Sequence, residues 1–154
     1  MRDRFINPYP RSLDAKGRLM LPQEYRAALL SSSSAAKDRD EGTFWLTAYD
    51  GHLTAYLPDT WVEIREQLYT LRSPSRNMQN FRAKFLGLAQ QMTPDTQGRI
   101  RIPQPLIREA GLQKDVMLLG MKEQFQIWDA ATFYGLPVED VTDELAAAGV
   151  EIIL

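Results

Sequence analysis

An internal repeat is the feature that most constrains how this 154-residue chain can fold. Residues 14–23 align with residues 95–104, and the two segments share an aspartate, a glycine, an arginine, a proline and a glutamine at the same spacing. A second block, residues 44–61, aligns in the same order with residues 116–133. Self-similarity of this kind indicates a tandem duplication, so each structural unit is expected twice.

Each copy contains the same succession of strand, turn and helix signals. A short strand leads into Asp-x-x-Gly, in which the aspartate accepts hydrogen bonds from its own backbone and the glycine supplies a positive φ, as in a tight hairpin turn. An alternating strand follows, and a helix then begins at Pro22 or Pro105, with Gly111 as a helix stop. A second hairpin is predicted around residues 50–51 and, in the other copy, around residues 122–123. The turn residues of the two Asp-x-x-Gly motifs are Asp14, Gly17, Asp95 and Gly98.

One copy alone, β-β-α-β-β in roughly 45 residues, is too small to bury a sufficient core. We therefore expect the two copies to pair in one barrel-like core with pseudo-twofold symmetry. Between them, Thr60-x-x-Glu63 is a capping-box pattern, and Ser75 can cap a second helix. Residues 138–148 are acidic and rich in alanine, which predicts a helix, and the polar residues 31–41 are expected to form an exposed loop.

Composition excludes several classes of protein. Apolar residues make up 44% and charged residues 25% of the chain, so it can bury a core. It has no apolar run long enough to span a membrane, and its N-terminus lacks the apolar region of a secretory signal. Cysteine is absent and His52, beside a hairpin turn, is the one histidine, expected at the surface. We expect a cytoplasmic protein without cofactor, metal or catalytic residues, and hence not an enzyme.

The formal net charge of −2 conceals a segregated charge pattern. Residues 1–30 carry six Lys/Arg against three Asp/Glu, and residues 72–108 carry seven against one. Residues 31–71 carry three against seven, and residues 129–154 carry six acids and no base. The Asp-x-x-Gly motifs fall in the two basic blocks, and segregated charge of this kind attracts polyanions, although such a stretch is also compatible with a merely solvated surface.

Arg18 and Arg99 occupy the same place in the two copies, directly after the turn glycine. One interpretation is structural, because each arginine can pair with the aspartate of its own turn. The other is that each tip presents a guanidinium to phosphate or to a guanine edge, since the planar fork of arginine donates two parallel hydrogen bonds. Further cations that lie close by in sequence would extend the positive surface: Lys16, Arg11, Arg26, Arg101 and Arg108. The duplication favours binding to double-stranded DNA.

At these residues the chain resembles MraZ, a family of bacterial cytoplasmic proteins with two SpoVT-AbrB repeats. The resemblance rests on residues 13–22, 95–99, 110–112 and on the hairpin formed by residues 116–120 and 125–129, and it covers about residues 11–133. It implies an α+β fold in which duplicated AbrB-like β-β-α-β-β units form an interleaved double-split β-barrel core with peripheral helices. The segments implied are a first SpoVT-AbrB repeat at 7–57, connecting helices at 58–88, a second repeat at 89–133, and a C-terminal helix and tail at 134–154.

The resemblance also implies a function. It suggests a nucleoid-associated transcriptional regulator that binds tandem promoter repeats of the division and cell-wall gene cluster. The family's DNA-contacting arginine carries over to Arg18 and Arg99, and the subunits are expected to associate in a closed, ring-like homo-oligomer. The start of the chain, residues 5–10, lacks the family's usual glycine, and residues 31–41 are unusually polar.

Two other functions remain open on the sequence alone. An oligomeric scaffold for protein interactions would show no salt-dependent affinity for duplex DNA. An AbrB-type antitoxin would need a toxin-binding tail, for which the acidic helix and the apolar residues 150–154 are candidates.

Overall fold

An antiparallel sheet, a small second ladder and six helices make up the part of the chain that the computed structural model describes, residues 4–31 and 42–154. The α+β class is therefore confirmed. The elements, in chain order, are β1 (Tyr9–Ser12), β2 (Arg18–Met20), α1 (Gln23–Ser31), β3 (Phe44–Tyr49), β4 (His52–Tyr56), α2 (Pro58–Tyr69), α3 (Arg76–Gly87), β5 (Gln90–Met92), β6 (Arg99–Arg101), α4 (Gln104–Glu109), β7 (Asp115–Gly120), β8 (Gln124–Asp129), α5 (Ala130–Tyr134) and α6 (Thr142–Ala147).

The two copies interleave within the sheets. The larger sheet has the order β1-β7-β8-β4-β3-β5, and the smaller one pairs β2 with β6. Strands of the first copy thus pair with strands of the second at four places, β1 with β7, β3 with β5, β4 with β8 and β2 with β6. The ladders of the described residues form an open sheet and a separate ribbon rather than one closed barrel.

The Asp-x-x-Gly turns are tight, but they do not join the two strands of a hairpin, and that prediction was wrong. The N–H of Gly17 donates to the carbonyl of Asp14 at 3.0 Å, which closes the turn. Beyond it, the N–H of Leu21 donates to the carbonyl of Gly98, and the N–H of Ile102 donates to that of Gly17. The strand after each turn therefore pairs with its counterpart in the other copy.

The inner face of the six-stranded sheet forms the main core. The inward side chains of β3, β4, β7 and β8 are nearly or fully buried. Tyr25 of α1 packs on this face with its ring centroid 4.9 Å from that of Phe125, and Phe5 contacts both rings. The core thus draws on strands of both copies, which is why neither copy could bury it alone.

Helices α2 and α3 cover the other face. Trp61 stacks on Trp45 with ring centroids 5.5 Å apart, and Thr47 donates to the carbonyl of Phe85 at 2.6 Å. Ser75 caps α3 by accepting a hydrogen bond from the N–H of Met78, as predicted. The capping box at residues 60–63 was a wrong prediction, because Pro58 starts α2 two residues earlier and Leu57 occupies the N-cap position.

Several local predictions can be compared directly with the structure. The hairpin turns at residues 50–51 and 122–123 are confirmed, with positive φ at Asp50, Gly51 and Lys122. His52 is not exposed: it is the first residue of β4, is 8% exposed and stacks on Trp128. The C-terminal helix is shorter than predicted and spans only α6. The polar residues 32–41 lie outside the described part of the chain.

Glu24 fastens the N-terminal segment to α1. Its carboxylate accepts hydrogen bonds from the N–H groups of Ile6 and Asn7, from the Asn7 side-chain amide and from the Tyr9 hydroxyl. Partial burial opposes ionisation, but these hydrogen bonds outweigh it and hold the pKa of Glu24 at about 2. The same contact raises the pKa of Tyr9.

This arrangement predicts an acid-dependent loss of stability. Because the folded pKa is depressed, the stabilisation is fully present above pH 4.5 and is lost as the pH falls towards 2. Glu24→Gln is expected to lower the free energy of unfolding at pH 7 by about 1–2 kcal/mol, since charged acceptors are stronger than neutral ones. Urea unfolding from pH 7 to pH 2 should show the two proteins converging in acid. A difference independent of pH would contradict this assignment.

No helix in residues 4–31 or 42–154 is both long enough and apolar enough to cross a membrane.

Candidate nucleic-acid interface

The two Asp-x-x-Gly turns have the same geometry in both copies. In the first, Asp14 Oδ1 accepts from the N–H groups of Lys16 and Arg18 at 2.9 and 2.8 Å, while Oδ2 accepts from Arg18 Nε at 2.7 Å. In the second, Asp95 makes the equivalent three hydrogen bonds at 2.9, 2.9 and 3.0 Å. Each aspartate therefore fixes both the turn and the direction of its arginine.

These contacts also stabilise the charged form of the two aspartates. The backbone N–H of Arg18 is the main cause that lowers the pKa of Asp14; burial opposes it, and the Arg18 side chain lowers the pKa further. The backbone N–H of Arg99 lowers the pKa of Asp95 in the same way. Both carboxylates are therefore ionised at neutral pH, and each remains an acceptor for its arginine.

Each arginine is paired and exposed at the same time. The side chains of Arg18 and Arg99 are 42% and 39% exposed, and each ion pair uses Nε. Within the described residues, the terminal nitrogens of these two guanidinium groups donate no hydrogen bond. The pairing expected on structural grounds thus coexists with a free, outward-facing fork that can donate two hydrogen bonds.

The β2–β6 ribbon places these arginines together. Its register pairs Arg18 with Arg101, Leu19 with Ile100 and Met20 with Arg99. Leu19 and Ile100 are buried, so the other four side chains share the outer side of the ribbon, which we call the ladder face. The ladder face consists of Arg18, Met20, Arg99 and Arg101.

The ladder face sets like charges against one another. Residues directly opposite in an antiparallel pair have Cβ atoms about 4.5–5.5 Å apart, and like charges there are destabilising. Arg18 and Arg101 form such a pair, and Arg101 makes no side-chain hydrogen bond or ion pair within the described residues. An anion bound across the face would relieve this repulsion.

Two further predicted cations lie beside the ladder face. Arg11 donates from Nε to the carbonyl of Met20 at 3.0 Å and from Nη1 to that of Pro10, with its guanidinium over the Tyr9 ring. It therefore joins β1 to β2 and has fewer donors free for a ligand. Lys16 is exposed at the tip of the first turn, where the second turn has Gln97.

Arg26 has a role that sequence reasoning missed. It extends from α1 to the second turn, where Nη2 donates to the carbonyls of Thr96 at 2.9 Å and of Asp95 at 3.5 Å. The sequence identified Arg26 only as one of the cations that extend the positive surface. The partner lies some seventy residues away, and the sequence carries no local signal for so distant a contact.

Taken together, fold and site define a duplicated α+β protein whose two copies pair to display clustered arginines on an exposed ribbon. Comparison with known proteins agrees with this class. The chain is 44% identical to a protein named "Transcriptional regulator MraZ" from Nitratidesulfovibrio vulgaris strain Hildenborough, over 92% of this chain and 93% of that protein. A protein of the same name from Maridesulfovibrio salexigens is 39% identical with the same coverage, and one from Bordetella pertussis is 38% identical over 84% and 85%.

A family model described as "MraZ protein, putative antitoxin-like" also matches residues 85–148. The chain belongs to the MraZ family. The aligned part of these relatives covers 92% of this chain and so spans both copies of the duplicated motif.

The turn glycines give a stability test of the site. Gly17 and Gly51 both have a positive φ, 79° and 83°, but a Cβ on Gly17 would lie 2.8 Å from the carbonyl oxygen of Ile102, whereas one on Gly51 would meet nothing within 4 Å. Gly51→Ala is expected to lower the free energy of unfolding by about 1–2 kcal/mol because of its left-handed backbone alone. Gly17→Ala should lower it by at least about 1 kcal/mol more, because its Cβ would also clash with the Ile102 carbonyl. Equal losses in parallel denaturant titrations would show that the close approach between the copies is not maintained in solution.

Proposed function

We propose that this protein is a transcriptional regulator that binds double-stranded DNA through the ladder face and its flanking cations. Arg18, Arg99 and Arg101 would contact the duplex directly, with Lys16 and Arg11 at the margin. The observation that carries the proposal is the opposition of Arg18 and Arg101 on an exposed ribbon, because a cluster of like charges is costly unless an anion compensates it.

The chemistry of arginine suits both parts of a duplex. Its fork donates two hydrogen bonds to a phosphate or to the major-groove edge of guanine, and each bidentate base contact contributes about 1–3 kcal/mol of discrimination. The aspartate of each turn directs the fork while leaving its terminal nitrogens available. A two-stranded ribbon can also enter the major groove.

The finer family properties are part of the proposal. We infer that the operator consists of tandem promoter repeats upstream of the division and cell-wall genes, and that the protein works in the cytoplasm at the nucleoid. Several subunits in a ring-like homo-oligomer would multiply a weak single-site affinity by roughly 10²–10⁴. The repeats would span residues 7–57 and 89–133, and the ribbon with the larger sheet would correspond to the double-split barrel.

Replacement of the tip arginines tests the interface. Arg18→Ala and Arg99→Ala should each weaken binding to a duplex carrying the protein's own upstream region by at least about tenfold, since each removes a bidentate contact. The double variant should abolish binding in a gel-shift assay, with oligomer size unchanged by light scattering. Salt titration of the parent should give a slope near −0.9 for each phosphate contacted.

A matched control is available in α3. Arg76 is an exposed arginine at the start of that helix, so Arg76→Ala removes the same charge away from the ribbon and should leave binding intact. Unaltered binding in the double variant would refute the site. A parent protein with no salt-dependent affinity for duplex DNA would favour the interaction scaffold, and co-purification with a small toxin would favour the antitoxin.

A further inference from the structure

The two turns are supported differently by the helix beneath each of them. Arg26 belongs to the first copy but makes its side-chain hydrogen bonds with the carbonyls of Asp95 and Thr96 in the second. Gly98 allows this approach, because a Cβ at that position would lie 3.3 Å from Arg26 Cδ. The guanidinium therefore lies against the turn backbone rather than extending freely into solvent.

The first turn lacks this support. The offset of 81 residues from Asp14 to Asp95 places Ile107 of α4 where α1 has Arg26. Its Cδ1 would lie 3.3 Å from a Cβ on Gly17, so the two side chains occupy equivalent places under equivalent glycines. An aliphatic side chain donates no hydrogen bond, and the first turn instead borders an open cavity of about 470 Å³ lined by residues that include Ala15, Ile107 and Lys114.

We propose that Arg26 is a positioning residue that holds the second tip in its binding geometry, so that the two tips act unequally. The second tip, with Arg99, is preorganised. The first tip, with Arg18, has no such hydrogen bond from the helix beneath it and borders the cavity, so it is less restrained. The expected effect on DNA affinity rests on the proposed function, whereas the ordering of the second turn by Arg26 does not.

The physical effect is preorganisation. A loop that is already ordered pays less conformational entropy when it binds, and ordering even one extra backbone residue on binding lowers affinity about tenfold. Three contacts converge on the second turn: the Asp95 carboxylate from within, the β2–β6 ribbon at its end, and Arg26 from below. Arg26 is the one of these that the first turn does not share.

Arg26→Leu gives the second turn the kind of aliphatic side chain that the first already has. Hydrogen exchange measured by mass spectrometry on the full-length protein should show slower exchange at residues 96–98 than at residues 15–17 in the parent. In the variant, exchange at residues 96–98 should rise roughly tenfold, the effect of losing one hydrogen bond to a charged donor, while residues 15–17 stay unchanged. Unchanged exchange at residues 96–98 would overturn the proposal.

The binding measurement separates positioning from direct contact. Arg26→Leu should weaken duplex binding about tenfold while leaving the salt slope unaltered, because no phosphate contact is lost. A salt slope smaller by about 0.9, together with unchanged hydrogen exchange at residues 96–98, would instead identify Arg26 as a phosphate ligand. Arg76→Leu, an exposed arginine of α3, controls for the lost charge and should change neither readout.

Two further outcomes are distinguishable. If Arg26→Leu fails to fold by circular dichroism, Arg26→Lys keeps the charge and one donor, and faster exchange confined to residues 96–98 is again the expected result. If the parent itself does not bind duplex DNA, the proposed function fails, but the exchange experiment still decides whether Arg26 orders the second turn.

Discussion

The pairing of β2 with β6 is the interaction on which the rest of the structure depends. These strands are only three residues each, and neither forms a ladder with the strand that precedes its own turn. Their pairing buries Leu19 against Ile100 and joins the two copies at their turns. Because side chains alternate across a strand, burial of this central pair forces the flanking side chains outward. The exposure of the arginines is therefore a direct consequence of how the core closes.

The turn aspartates show how an ion pair can orient a side chain without contributing much stability. Both pairs are well exposed, and pairs of this kind contribute little to the free energy of folding. Their geometry matters more for the direction of the arginine, because one carboxylate oxygen binds backbone N–H groups while the other binds Nε. The arginine is thereby restrained about its long side chain, and the rest of its fork remains available. Asp14 and Asp95 are therefore best understood as parts of the candidate site rather than as competitors for the proposed ligand.

The sequence predicted what short-range chemistry determines. Positive φ at residues 50–51, the Ser75 cap and the stop at Gly111 each depend on neighbours within a few residues, and all are present. The exchange of strand partners depends on long-range pairing, which the Asp-x-x-Gly signal does not encode. His52 was misjudged for the same reason, since Trp128, which buries it, lies in another hairpin. The candidate site residues could be named from the repeat, whereas the contact of Arg26 with the second turn required the fold.

Comparison of the two copies shows where a duplicated fold has become asymmetric. The backbone positions that both turns require are identical, but Lys16 corresponds to Gln97, Met20 to Arg101 and Arg26 to Ile107. All three differences lie on or beneath the same exposed surface, so the ribbon has twofold backbone geometry and an asymmetric set of side chains. Twofold symmetry in a DNA-binding protein is matched by palindromic sites. A face that has lost this symmetry would distinguish the two directions along a bound duplex. Successive subunits of the proposed oligomer would then favour sites repeated in the same orientation, as the proposed tandem operator requires.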